Sequence, residues 1–112
     1  MFKEIYLHLK ENGINVYSLA QHKGLCNSNY VVIRELGETK IDNKNLVRED
    51  VELLLYVPLQ KYSSIANFKE EVKKIMKQLR TYRLVITPVT VVIEEEKQAY
   101  MSYLSYKKIR RI

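Results

Sequence analysis

The stretch VREDVELLLYVPL, residues 47–59, constrains the fold more than any other part of the chain. It is almost continuously apolar over residues 51–57. A strand of that composition is usually covered on both of its faces. Pro58 has no backbone N–H to donate to a sheet, so the strand should end there. The sequence therefore predicts a strand whose later half lies deep inside the domain.

An amphipathic helix is predicted after this strand, over residues 64–80. Ser63 or Ser64 can cap its start by accepting a backbone N–H. Its apolar stripe consists of Ile65, Phe68, Val72, Ile75, Met76 and Leu79. We expect the core to contain Leu54, Tyr56, Phe68, Val72, Ile75 and Leu79.

The remaining segments complete an α+β pattern. Residues 1–12 predict a helix that Asn12 and Gly13 end, because both tolerate a left-handed backbone. INVYSLA is ambiguous, YVVIREL predicts a strand, and Gly37 and Glu38 predict a turn. RLVITPVTVVI, interrupted by Pro88, and the closing stretch predict a β-hairpin around EEEKQ. We expect one domain over residues 1–112: an antiparallel or mixed sheet of about four strands, with two helices packed on one face.

The closing stretch AYMSYLSYKKIRRI is apolar on both sides of its predicted strand. Alternation places Tyr100, Leu104 and Tyr106 on one face and Met101 and Tyr103 on the other. Four cations follow at its tip: Lys107, Lys108, Arg110 and Arg111. The chain has nine Tyr and no Trp. Tyrosine combines apolar area with a hydrogen-bonding tip, which suits surfaces that become buried on assembly.

Composition limits the class of protein without identifying its partner. A chain of 112 residues with 46% hydrophobic residues can bury one core without a metal or disulfide. Its single cysteine, Cys26, fits a reducing compartment, and its N-terminus has no secretory signal pattern. No apolar run approaches the roughly 20 residues that cross a bilayer. The net charge of +6 favours an acidic partner, whether nucleic acid, membrane or protein.

Catalytic and metal-binding signatures are weak in this sequence. Cys26 and His22 lie four residues apart in a predicted loop and would be a candidate thiol–imidazole pair, but no third residue stands out to orient them. His8 lies beside the apolar stripe of the first helix, and we interpret it as a partly buried, hydrogen-bonded histidine. We therefore predict no enzyme, no cofactor and no metal.

Two charged clusters admit a structural interpretation. Glu94, Glu95 and Glu96 cannot easily converge on a cation, because adjacent strand residues point to alternate faces, so a solvated hairpin tip is expected. Lys69, Lys73 and Lys77 form either a solvated helix face or a basic ridge facing an acidic neighbour. Basic residues interleaved with aromatics also fit a small nucleic-acid-binding module, although no recognition motif of that class is present.

The order of elements resembles the small tail-terminator and tail-completion proteins of tailed bacteriophages along nearly the whole chain. The matching segments are FKEIYLHLKENG, NYVVIRELG, REDVELLLYVPL, SSIANFKEEVKKIMKQL and the closing hairpin ITPVTVVIEEEKQAYMSYLSYKKIRRI. The rhythm is closest at residues 51–57 and 65–79. Related head–tail joining proteins of phages and prophages share this size and style.

This resemblance implies a structural virion-assembly protein without enzymatic activity. Copies would form a homohexamer ring that caps the tail tube and joins it to the head connector, with a sheath protein as a further neighbour. Nucleic acid is expected only as DNA passing through the ring, and no membrane contact is expected. The protein would reside in the virion tail, or in the host cytoplasm during assembly.

The resemblance also assigns a subunit or partner interface to the closing hairpin. The edge of the closing strand would pair with the neighbouring subunit. Its basic tip would meet an acidic patch, which the Glu94 to Glu96 turn of the next subunit can supply. The interface residues expected on this basis are Glu94, Glu95, Glu96, Tyr100, Tyr103, Tyr106, Lys107, Lys108, Arg110 and Arg111.

Overall fold

The computed structural model describes residues 2–18, 25–41, 45–59, 63–85 and 91–111. These residues form two helices and six strands. In chain order they are α1 (Phe2–Glu11), β1 (Val16–Ser18), β2 (Tyr30–Ile41), β3 (Leu46–Pro58), α2 (Ser63–Met76), β4 (Arg83–Val85), β5 (Val92–Glu94) and β6 (Ala99–Arg111). The fold is α+β with a mixed sheet, as predicted.

The sheet has six strands in its described part rather than about four. Its order is β1-β2-β3-β6-β4, and β5 also pairs with β6. Only β1, which pairs with β2, is parallel to its neighbour. The ambiguous segment INVYSLA supplies the short β1. The stretch interrupted by Pro88 supplies two short strands, β4 and β5, and Pro88 itself lies outside the described residues.

The prediction of a turn at Gly37 and Glu38 is wrong. A β-bulge lies between Glu35 and Gly37, and β2 then continues beside β3 to Ile41. Gly37 adopts a φ of 104°, a region that glycine reaches without steric cost. The glycine therefore bends a long strand instead of ending a short one. Of the polar segment TKIDNKN, residues 42–44 lie outside the described part.

Because β2, β3 and β6 are all long, their distal ends form a three-stranded ribbon. We call this ribbon the β-arm: residues 37–41 of β2, 46–50 of β3 and 107–111 of β6, in which the central β3 pairs with β2 on one side and with β6 on the other. The molecule accordingly measures 49 Å along its longest axis and 28 and 24 Å across.

Helix α1 ends as its sequence predicts. Gly13 has a φ of 81°, and its N–H donates to the carbonyl of Lys10. The N–H of Ile14 donates to the carbonyl of Leu9, which completes a Schellman motif. Leu9 and Ile14 are both buried in the main core. This cap therefore turns the chain directly from the helix into β1.

Both helices pack on one face of the sheet. Their buried residues share a core with the alternate β3 side chains Val51, Leu53, Leu55 and Val57. Helix α2 ends at Met76, earlier than the predicted residue 80, and Leu79 is half-buried against the core. The other β3 residues predicted for this core, Leu54 and Tyr56, lie on the opposite face, which we call the far face.

Candidate functional site

The two apolar sides of β6 meet different surroundings. Tyr100, Leu104 and Tyr106 face the helices, and Met101 and Tyr103 lie on the far face, as the predicted alternation requires. Tyr106 is 4% exposed, and burial raises its pKa to about 12. Its ring has almost no area left to bury against another subunit. We therefore do not retain Tyr106 as an interface residue.

The far face carries a second, smaller apolar cluster. Tyr30 and Tyr56 stack with ring centroids 4.8 Å apart, and Tyr17 contacts Tyr30 edge-on at 5.5 Å. Leu54 is half-buried against this cluster, and Tyr103, its cross-strand partner on β6, is also half-buried. The buried members are Cys26, Tyr30, Val32, Tyr56 and Ala99. Among the interface tyrosines expected from sequence, Tyr103 is thus the one on this face.

The expectation that β6 offers its backbone edge to a neighbour is wrong at residues 99–101 and 105–107. Strand β6 pairs with β3 from end to end, and its other side pairs with β4 and β5. Within the described residues, positions 102–104 and 108–111 of β6 lack a partner on that other side. The outer side of β2 likewise has a partner, β1, at residues 31–33 alone. The longest open stretches, residues 34–41 of β2 and 108–111 of β6, therefore lie on and beside the β-arm, which the sequence did not indicate.

The basic tip of β6 makes ion pairs within the chain. Arg110 donates from Nε to Glu49 and from Nη2 to Glu38, the latter at 3.0 Å. Nζ of Lys108 lies 3.9 Å from Oε2 of Glu4. The hydrogen bond from Arg110 lowers the pKa of the Glu49 carboxyl. Desolvation of the carboxyl raises its pKa by a smaller amount, so the net shift is downward. The tip is therefore partly neutralised and is not the bare cationic patch that the sequence indicated.

At the other end of β6, the predicted solvated hairpin tip is confirmed for Glu95 and Glu96, whereas Glu94 is half-buried in β5. Glu95 and Glu96 are exposed in a four-residue turn, where Gln98 donates its backbone N–H to the carbonyl of Glu95. The adjacent β5 leaves Val92 38% and Ile93 58% exposed. We call residues 92–96 the acidic turn. The basic tip begins about 26 Å along β6 from Ala99 and ends about 40 Å along it, so the acidic turn and the tip cannot meet within one chain.

A basic groove of about 940 Å³ lies between α2 and β4. Of its apolar lining residues, Leu84 is exposed, whereas Met76, Tyr82 and Tyr106 are almost completely buried; Glu70 and Glu71 are its two carboxylates. Its five cations are Lys73, Lys74, Lys77, Arg83 and Lys107. Its walls come from three separate segments, so its shape could not be read from sequence. The lysine series on α2 was the one signal available.

That lysine series divides into two environments. Nζ of Lys69 lies 3.3 Å from Oγ of the buried Ser102, and burial lowers the lysine's pKa more than the neighbouring charge of Lys73 does. Lys73 lies 3.3 Å from Glu70, and Lys77 is exposed. Lys69 is thus a structural contact, whereas Lys73 and Lys77 line the basic groove.

Cys26 lies in a setting that disfavours nucleophilic chemistry. It is buried, its thiol donates to the carbonyl of Ser28 at 3.3 Å, and burial raises its pKa. A raised pKa reduces the thiolate that would react. His22, the other half of the candidate pair, lies outside the described residues.

His8 is half-buried and hydrogen-bonded, as interpreted from sequence. Its Nε2 lies 2.8 Å from the carbonyl oxygen of Ile75, which joins α1 to the end of α2. In the described part of the chain, no three His, Cys, Asp or Glu residues are grouped as metal ligands. Neither described helix has the length and apolarity needed to cross a membrane.

A comparison of the chain with protein-family models found no match, and a comparison with curated proteins found none either.

Proposed function

We propose that this chain is a structural assembly protein of a phage or phage-like tail. Copies of it form a ring, a hexamer by the resemblance stated above, that caps the tail tube and joins it to the head connector. The order of α1, the long strands, α2 and the closing hairpin supports the proposal, since this layout carries the resemblance.

The observation that carries the proposal is the β-arm. Unpaired strand edges are ready templates for pairing with another chain, and monomeric proteins usually shorten or cover them. Here the outer side of β2 has no strand partner over residues 34–41 of the described chain. A protein that joins neighbours through such edges needs no catalytic group, and its contacts survive moderate salt because apolar and backbone contacts carry the energy.

The experiment is deletion of the gene from its phage or prophage, followed by electron microscopy of the particles. We expect tails that fail to join heads, and rescue by the intact gene supplied in trans. Joined particles of normal appearance after deletion would contradict the proposal. Genes for tail-tube or sheath proteins beside this gene would support it before any particle is examined.

Nucleic-acid binding is the second candidate, and the five cations of the basic groove favour it. Binding of that kind weakens steeply with added salt because phosphate contacts release counterions. Titration of the purified chain with labelled duplex and single-stranded DNA at several salt concentrations separates the two candidates.

A further inference from the structure

The charges of the basic groove are largely unpaired within the chain. Lys73 has Glu70 at 3.3 Å, but Lys74, Lys77, Arg83 and Lys107 make no ion pair with any other described residue. Cations held around an apolar surface favour an acidic occupant that also has apolar side chains.

The acidic turn has this chemistry. Glu95 and Glu96 are exposed and form no ion pair with another described residue. Ile93 beside them is 58% exposed, while Leu84 in the groove is 41% exposed. The acidic turn therefore offers Ile93 beside negative charges, and the groove offers Leu84 beside positive charges.

Both surfaces also include a short strand with an open side. Strands β4 and β5 each pair with β6 on one side and, in the described residues, with no strand on the other. A strand placed beside such an edge gains backbone hydrogen bonds in addition to side-chain contacts.

The two surfaces cannot meet in one molecule. Strand β4 lies beside Lys107 of β6, and the acidic turn lies beside Ala99. Eight strand positions separate these points, which is about 26 Å. A contact between the acidic turn and the basic groove therefore joins two copies. Because the two surfaces differ, each copy can bind one neighbour through its turn and another through its groove, and a series of such contacts can close into a ring.

We propose that the acidic turn of one copy docks in the basic groove of the next. This inference rests on the proposed function, since it names a contact between neighbouring subunits in addition to the open edges of the β-arm. It moves the site that receives Glu95 and Glu96 from the basic tip, where Arg110 and Lys108 already have carboxylate partners, to the groove, which includes Lys107 alone of the tip cations.

A pair of charge-reversal variants of the full chain tests this contact. The first is Glu95→Lys with Glu96→Lys, and the second is Lys77→Glu with Arg83→Glu, one cation from each wall of the groove. Sedimentation velocity across a wide concentration range measures self-association of the parent, of each variant and of their equimolar mixture. Lys3→Glu and Glu11→Lys on α1 are the matched controls, and circular dichroism confirms folding.

We expect the parent to associate and each variant alone to associate at least about tenfold more weakly, a change of about 1.4 kcal/mol. The mixture should regain association, because each variant then offers the charge that the other needs. Association of either variant at parental strength, a mixture as weak as its parts, or a parent that stays monomeric would overturn the inference. So would a groove that binds duplex DNA while the parent stays monomeric.

The same data separate this inference from the proposed function. A closed dimer that follows the charge-swap pattern would support the contact and contradict the ring. Variants that associate weakly yet complement the deleted phage fully would leave the tail function standing and contradict the role of this contact in it.

Discussion

Arg110 and Glu49, 61 positions apart in the sequence, form an ion pair that joins β6 to β3 within the β-arm. Arg110 also donates to Glu38 of β2 at 3.0 Å, so one guanidinium links β6 to both of the other strands of the arm. Glu49 is buried although it is charged. The arrangement holds the strands of the β-arm together while their outer edges stay open.

The ion pair predicts how stability depends on pH. Arg110 holds the pKa of Glu49 in the folded protein below the unfolded value of about 4.3. A group of this kind stabilises the fold above its unfolded pKa, and the contribution is lost as pH falls through the folded pKa. In a plot of the urea-unfolding midpoint against pH, the acid limb is the fall of the midpoint at low pH. Glu49→Gln should therefore make this acid limb less steep than in the parent. Glu95→Gln, in the exposed turn, is the control, and an unchanged acid limb for Glu49→Gln would contradict the assignment.

Phe68 is predicted to be a major support of the core. It is 3% exposed on α2 and packs in the main cluster under the sheet. Phe68→Ala should lower the free energy of unfolding by about 3–5 kcal/mol, since it removes the ring and leaves a cavity. Leu7→Ala, at a position 47% exposed on α1, should change it by less than about 0.5 kcal/mol. Equal denaturation midpoints for the two variants would refute this picture of the core.

The thiol of Cys26 is predicted to be unreactive in the folded protein. Because burial raises its pKa, the folded protein should react with a disulfide reagent near neutral pH much more slowly than the unfolded chain does. Cys26→Ser should fold and should complement a deleted phage. Rapid labelling of the folded protein, or a folded Cys26→Ser variant that fails to complement, would reveal a role that the structure does not indicate.

Tyr103 is the far-face residue on which the interface prediction now depends. It is half-buried opposite Leu54 on the side away from the helices, so a charge there has access to water in the monomer. We expect Tyr103→Asp to fold but to fail at tube-end binding, because a buried carboxylate without a partner is costly in an interface. Tyr103→Phe should bind normally. Parental binding by a folded Tyr103→Asp variant would place the contact elsewhere.

The sequence predicted those elements whose pattern is local. The apolar stripes of α1 and α2 and the stop at Pro58 appear in the structure, because each depends on residues within a few turns or strand positions. The alternation of β6 was also correct. It predicted which side chains share a face, but not that helices would cover Tyr106.

The errors arise from pairing between distant segments. Gly37 predicts a turn when read alone, yet beside Asp50 of β3 it forms a bulge in a continuing strand. The sequence does not reveal the carboxylate partners of Arg110, because Glu38 and Glu49 lie more than 60 positions away from it. The basic groove was missed for the same reason, since α2, β4 and β6 meet only in the folded chain.

Binding to tail tubes tests the central claim most directly. Tubes isolated from a phage that lacks this gene are incubated with the purified chain and their ends are imaged by electron microscopy. The account predicts a ring of copies at one end of each tube, stable at moderate salt, and bare ends with Tyr103→Asp. Bare ends with the folded parent chain would contradict it.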